Sequence, residues 1–159
     1  MQPIIKQTHK LLIKNKKTLA VAESCTGGLV SYFLTSLSGS SEYFILGLVA
    51  YSNKAKSSIL GIPASIILHK GAVSKEVAQS LSRQVRKFAK TDFGIGITGI
   101  AGPNGGSNYK PVGTVFISVD SKNRRLCREF HFQGTRQEVQ KSAALKALQL
   151  LKTLIKRGG

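Results

Sequence analysis

At 159 residues, the chain has the length of one ordinary domain and can bury a core without disulfides or metal. Its 24 Lys and Arg against 7 Asp and Glu give a formal net charge of +17, which favours an anionic partner, either nucleic acid or a small phosphorylated substrate. We find no membrane-spanning stretch, no secretory signal and no metal-like cysteine pair, since Cys25 and Cys127 lie far apart. A cytoplasmic protein with free thiols is expected.

Hydrophobic periodicity predicts alternating strands and helices. Strand-like apolar runs are residues 18–22, 43–51, 92–97, 112–119 and 126–132. Apolar residues recur at helical spacing in residues 4–12, 29–37, 54–60, 64–68, 74–88 and 136–155. The order predicts one α/β domain over residues 1–159, a mixed sheet with helices on both sides.

Several local features refine this prediction. The run 43–51 is long enough to cross a sheet covered on both faces. Asn53 and Ser74 are expected to cap the helices that follow them, with Phe88 on the buried face of the second. The last strand is expected to carry an apolar edge that pairs with a second copy, so a homo-oligomer such as a dimer is expected.

Three polar segments follow the predicted parallel strands directly. Ser24 follows the first strand, Tyr51 ends the second with Lys56 just beyond it, and Thr98 and Gly99 follow the third. In open α/β sheets, ligands bind outside the carboxyl ends of such strands. These side chains are therefore expected around one cleft.

This set of side chains suits acyl transfer. A serine needs a base to remove its proton, and a lysine serves when it is neutral. Lys56 is expected in the first turn of a helix, where the helix dipole and partial burial both lower its pKa. Tyr51 is placed to hold substrate or relay a proton. Backbone N–H groups around Thr26, Gly27 and Gly28, at the opening of a helix, are candidate donors to a phosphate or an oxyanion.

Other interpretations of the same residues stay open. Cys25 is an alternative nucleophile, because a helix opening lowers a thiol pKa. Lys56 alone is equally typical of a solvated lysine on a short helix. No histidine is placed near Ser24 by the pattern. The positive charge favours a rival from another class, a basic nucleic-acid-binding protein with little or no catalysis, although the chain has no helix-turn-helix or zinc pattern.

Seven motifs occur in order along the chain: residues 22–28, 39–41, 51–56, 60–61, 71–74, 98–103 and 110–114. Together they resemble the CinA carboxy-terminal-domain family, which includes the nicotinamide mononucleotide deamidases of the PncC type. The resemblance also implies the alternative of a competence-related protein that keeps the fold with little or no catalysis. The resemblance covers about residues 18–150 and corresponds to the stand-alone form, without the amino-terminal domain of many relatives.

The resemblance implies a three-layer α/β/α domain with a mixed, mostly parallel sheet of about five strands. It implies hydrolysis of the nicotinamide mononucleotide carboxamide to nicotinic acid mononucleotide and ammonia, by a serine and lysine dyad without metal or cofactor. The dyad maps onto Ser24 and Lys56. Tyr51, Gly102 with its loop 98–106, and Arg136 carry over as substrate-binding residues, the last for the phosphate. This chain has Gly134-Thr135-Arg136 where many relatives have Gly-Asp-Arg.

Overall fold

The structure is a computed structural model that describes residues 2–158 and arranges them around one five-stranded sheet. The strands are β1 (Leu19–Glu23), β2 (Phe44–Val49), β3 (Phe93–Gly99), β4 (Thr114–Asp120) and β5 (Arg125–His131). The helices are α1 (Pro3–Lys14), α2 (Leu29–Thr35), α3 (Asn53–Leu60), α4 (Ala64–Lys70), α5 (Lys75–Ala89) and α6 (Arg136–Lys156), with a 3₁₀ turn at Ser40–Glu42.

The order of strands in the sheet is β2-β1-β3-β4-β5. β1 lies between β2 and β3 and is parallel to both, whereas β4 is antiparallel to β3 and to β5. β4 alone among these strands therefore runs against the others, and the sheet is mixed and mostly parallel, as predicted. The carboxyl ends of β1, β2 and β3 meet at one end of the sheet.

Helices cover both faces and complete the predicted three layers. One apolar core joins α1, α2 and α6 to the sheet, and a second joins α3, α4 and α5 to the other face. α5 packs directly against the backbone of β3, because a Cβ at Gly94 or Gly96 would collide with the Ser82 backbone. Within residues 2–158, no helix combines the length and apolar character needed to cross a bilayer.

Three predictions about burial are wrong. β2 is an edge strand whose residues alternate between half-buried and exposed, because α2 has only seven residues and leaves part of its face open. Phe88 is 64% exposed near the end of α5. β5, the opposite edge, exposes Arg125, Arg128 and Glu129, so the last strand does not present an apolar edge.

Boundary predictions differ from the structure by one or two residues. Thr98 and Gly99 belong to β3 and not to a loop, since they pair with Phe116 and Val115 of β4. Ser52, one residue before the predicted cap, accepts the Ala55 N–H at 3.0 Å and caps α3. The predicted Ser74 cap of α5 is confirmed by its hydrogen bond from the Val77 N–H at 3.3 Å.

Candidate active site

A cavity of about 280 Å³ lies at the carboxyl ends of β1, β2 and β3. The predicted site residues that line it are Ser24, Tyr51, Lys56, Thr98, Gly99, Gly102 and Arg136. The cavity is also lined by Cys25, Asn53, Ala72, Val73, Ile100, Ala101, Asn104 and Gly105. The predicted convergence of three strand ends on one cleft is confirmed. Thr26, Gly27 and Gly28 do not line this cavity.

Ser24 sits in a hydrogen-bonded turn at the end of β1. Its N–H donates to the Ile97 carbonyl of β3 at 3.1 Å, and its carbonyl accepts the Gly27 N–H at 3.1 Å. Both bonds involve the backbone, so they leave the hydroxyl free to face the cavity, and Ser24 is 8% exposed. The turn therefore directs the hydroxyl toward the cavity, and the hydrogen bonds that hold the turn do not use the hydroxyl.

Lys56 is a buried lysine at the fourth position of α3. It is 2% exposed, and its Nζ donates to the Tyr51 carbonyl at 3.3 Å. No carboxylate of residues 2–158 lies within ion-pair distance of this ammonium group. Burial lowers the pKa of Lys56 below its ordinary value of 10.5, opposed by the nearby Cys25 thiol. The predicted direction is confirmed, and burial is its main cause.

Cys25 lies beside Ser24 and Lys56, and its thiol is not activated as a nucleophile. It is 5% exposed, and burial is the main reason that the pKa of its thiol rises to about 12. The buried Glu23 carboxylate adds to this rise, whereas Arg136 and Lys56 oppose it. A thiol with this pKa stays protonated at neutral pH, which argues against Cys25 as the nucleophile.

Arg136 joins three parts of the cavity wall. At the first position of α6, its guanidinium donates to the Gly102 carbonyl at 2.7 Å and to the Tyr51 hydroxyl at 2.7 Å. The Thr135 cap and Glu138 form a capping box that fixes the start of this helix. The guanidinium is thereby held at the cavity with donors left for a further anion.

The remaining wall is formed where the loop after β3 meets the α4–α5 connection. The Thr98 hydroxyl donates to the Ala72 carbonyl at 2.7 Å. Lys110 Nζ donates to the Val73 carbonyl at 2.7 Å and to the Lys70 carbonyl at 3.3 Å. Sequence reasoning missed Ala72, Val73 and the cavity position of Asn53. Two signals were available: Asn53 lies between Tyr51 and Lys56, and Ala72 and Val73 belong to the motif at residues 71–74.

The opening of α2 is not the free anion site that the sequence suggested. The Glu23 carboxylate accepts the N–H groups of Val30 and Ser31 at 3.0 and 2.9 Å, together with the Ser31 hydroxyl at 2.8 Å. The Gly27 N–H is bonded within the turn. Thr26 is 3% exposed, and its hydroxyl has no hydrogen-bond partner in residues 2–158. A carboxylate of the chain itself therefore occupies this helix terminus.

Replacing Glu23 by alanine is expected to lower the free energy of unfolding by about 3 kcal/mol, because one buried and two part-buried donors lose their acceptor at once. Urea denaturation followed by circular dichroism measures the change. Glu42→Ala, which removes an exposed carboxylate from the 3₁₀ turn, is the matched control and should change stability by less than about 0.5 kcal/mol. Equal losses in both variants would contradict the capping role.

The site thus combines a presented hydroxyl, a buried lysine of lowered pKa and a fixed guanidinium. No three His, Cys, Asp or Glu side chains of residues 2–158 lie close enough together to hold a metal ion. Such a set can form and break an acyl bond and can hold an anionic substrate group.

A model of the CinA C-terminal domain matches residues 1–155 of this chain. The chain belongs to the CinA C-terminal domain family. It is 48% identical over 149 residues to a CinA-like protein of Syntrophus aciditrophicus, covering 93% of this chain and 36% of that protein. It is 47% identical over 144 residues to a putative competence-damage inducible protein of Moorella thermoacetica, covering 91% of this chain and 35% of that protein.

The fold also matches solved CinA-family structures. The crystal structure of competence/damage inducible protein CihA from Agrobacterium tumefaciens superposes with a TM-score of 0.91 and 32% sequence identity, covering 97% of each chain. The chain spans about a third of the length of the curated CinA relatives named above. The family and fold predicted from the motifs are confirmed.

Proposed function

We propose that this CinA domain is an amidohydrolase that converts nicotinamide mononucleotide to nicotinic acid mononucleotide and ammonia. The observation that carries the proposal is the pair of Ser24 and Lys56 in one cavity, where burial lowers the pKa of the lysine. A lysine without a carboxylate partner loses its proton more readily than a surface lysine, which is what a general base requires.

The proposed reaction has two steps. Neutral Lys56 takes the proton of the Ser24 hydroxyl as the oxygen attacks the carboxamide carbon, and the lysine returns that proton to the departing nitrogen, which leaves as ammonia. Water then attacks the resulting ester, releases the acid and restores the serine. The Asn53 and Asn104 amides line the same cavity and are the donors we propose for the developing oxyanion.

The proposal is tested by incubating the purified protein with nicotinamide mononucleotide and separating the products. Ammonia and nicotinic acid mononucleotide are expected in equal amounts. Release of free nicotinamide would mean that the glycosidic bond is cut instead, and the amidase proposal would fail. A folded protein that leaves the nucleotide unchanged would also contradict it.

Arg136 is proposed to bind the substrate phosphate. Arg136→Ala is expected to raise the KM for nicotinamide mononucleotide by about 10- to 100-fold, the value of one or two charge-assisted hydrogen bonds. The KM for nicotinamide riboside, which has no phosphate, should change little. Steady-state kinetics with both substrates measures the difference.

Because Arg136 also holds Tyr51, Tyr51→Phe is measured beside Arg136→Ala to show how much of the change in KM comes from the loss of this contact. It removes the hydroxyl that the guanidinium contacts and leaves the guanidinium in place. If Arg136→Ala raises the KM for nicotinamide mononucleotide and for nicotinamide riboside by the same factor, the arginine supports the cavity wall and does not bind phosphate.

A second candidate function, nucleic-acid binding, is favoured by a basic cavity at the amino ends of β1 and β3. This cavity of about 410 Å³ is lined by Lys17, Arg86, Lys90, Lys122 and Asp92 among others. Lys17 is paired with Asp92 and Arg86 with Asp120, so Lys90 and Lys122 supply the charge for a nucleic acid. Titration with labelled single-stranded DNA at two salt concentrations tests it. Binding that persists near physiological salt in the Ser24→Ala variant would support a dedicated surface, whereas binding that disappears is charge attraction alone.

A further inference from the structure

The first two turns of α6 contact three segments around the cavity. Arg136 donates to the Tyr51 hydroxyl and to the Gly102 carbonyl. One turn further along the helix, the side-chain amide of Gln140 donates to the Cys25 carbonyl at 2.8 Å. Residues four apart lie on the same face of a helix. One face of α6 therefore reaches both the cavity wall and the turn after β1.

The turn after β1 is a β-turn with Cys25 at one of its two central positions. The Gly27 N–H donates to the Ser24 carbonyl at 3.1 Å and closes the turn over Cys25 and Thr26. A rotation of the peptide group between the two central residues distinguishes the common turn types, and the closing bond does not fix this group. Its carbonyl is the Cys25 carbonyl, which Gln140 contacts. Gln140 therefore acts on the part of the turn that the closing bond does not hold.

The Cys25 carbonyl depends on Gln140 for its hydrogen bond. Cys25 is 5% exposed, and no other N–H or O–H of residues 2–158 donates to its carbonyl. A buried carbonyl without a donor costs free energy, so the backbone is expected to move when the donor is removed. Because Cys25 follows Ser24 directly, such a movement shifts the Ser24 hydroxyl relative to Lys56.

We propose that Gln140 is a positioning residue for Ser24. Its amide holds the Cys25 carbonyl toward α6 and thereby keeps the Ser24 hydroxyl where it can attack the substrate. Gln140 does not line the cavity, so it acts through the turn and not on the substrate. The expected effect on the rate rests on the proposed amidase function, whereas the expected effect on the turn does not.

The effect on the turn is measured by hydrogen exchange of the Gly27 amide, which closes the turn. Gln140→Met removes the donor and keeps a side chain of nearly the same length, so this amide should exchange at least about tenfold faster than in the parent. Gln137→Met is the matched control, since Gln137 is exposed on the same helix, and it should leave the exchange unchanged. Equal exchange in the parent and in Gln140→Met overturns the proposal, whether or not the protein hydrolyses nicotinamide mononucleotide.

The effect on the rate is measured by steady-state kinetics of ammonia release. A displaced nucleophile attacks more slowly, so the kcat of Gln140→Met should fall by about tenfold or more. The KM should stay within about twofold of the parent value, because Arg136 and Tyr51 keep their contact in the cavity wall. An unchanged kcat would overturn the proposal, as would a rise in KM alone, which would assign Gln140 to substrate binding.

Gln140→Lys separates the role of the donor from the packing of the side chain. Its ammonium group can donate to the Cys25 carbonyl, as Lys110 donates to the Val73 carbonyl. This variant should therefore keep most of the kcat that Gln140→Met loses. Equal losses in the two folded variants, with folding checked by circular dichroism, would overturn the role of the donor.

A fluorophosphonate probe separates failure of this proposal from failure of the amidase function. The probe forms an O–P bond with the Ser24 oxygen and releases fluoride, while the hydroxyl proton passes to Lys56. It needs no nucleotide, so a parent that is labelled at Ser24 and releases no ammonia would contradict the amidase function alone. Slower labelling of Gln140→Met would then still support the positioning role, and labelling at the parent rate would overturn it.

Discussion

Replacing Ser24 by alanine is expected to lower the rate of ammonia release from nicotinamide mononucleotide by about 10³-fold or more. Removal of a nucleophile commonly has an effect of that order. The fold should survive, because the hydrogen bonds that hold the Ser24 turn use the backbone N–H and carbonyl. Ammonia assay and thermal unfolding of the same preparation measure the two properties.

Cys25→Ala is the matched control for Ser24→Ala, since Cys25 lines the same cavity one residue further along the chain. With its pKa at about 12, the thiol is protonated at neutral pH, and its removal should cost less than about tenfold in rate. If Cys25→Ala is inactive and Ser24→Ala retains activity, the assignment of the nucleophile is reversed.

Lys56→Met is expected to reduce the rate by a similar factor while making the protein more stable at neutral pH. Methionine has nearly the same length and carries no charge, so the folded chain no longer has to bury an ammonium group. A side chain that costs stability and supports activity is typical of a functional site. Urea denaturation and the ammonia assay measure the two opposite changes.

The pH dependence of both properties follows from the lowered pKa of Lys56. The parent rate should rise with pH as the lysine loses its proton and should level off above its folded-state pKa. Between that pKa and the ordinary value of 10.5, the unfolded chain binds more protons than the folded chain, so the stability of the parent rises with pH. The stability advantage of Lys56→Met should therefore shrink over the same range.

Lys56→Arg separates these effects, because arginine keeps the charge and does not lose its proton in this range. We expect this variant to be inactive at every pH tested. Activity in Lys56→Arg, or a parent rate that does not change with pH, would contradict the role of Lys56 as the base.

Much of the fold was predictable from the sequence because strand and helix periods differ. The carboxyl ends of parallel strands lie at the same edge of a sheet, which is why the sequence alone could place Ser24, Lys56 and Thr98 around one cavity. The Ser74 cap was predictable for a similar reason, since it depends on residues close in sequence.

The errors concern contacts between distant segments. Periodicity indicates that β2 is apolar but contains no information on whether a strand lies inside the sheet or at its edge. Phe88 fits the apolar period of α5, yet it lies one residue before the end of the helix and is 64% exposed. Glu23 lies just beyond the predicted strand 18–22, and the sequence does not indicate that three donors from α2 surround its carboxylate.

The central claim, that Ser24 carries the acyl group of the substrate, is tested most directly by a single turnover. Nicotinamide mononucleotide is mixed with excess protein, quenched in acid at early times and mapped by mass spectrometry with fragmentation. One equivalent of ammonia should be released, and the Ser24 hydroxyl should carry the nicotinic acid mononucleotide acyl group as an ester. An acyl group on Cys25, or ammonia release that continues unchanged in Ser24→Ala, would contradict it.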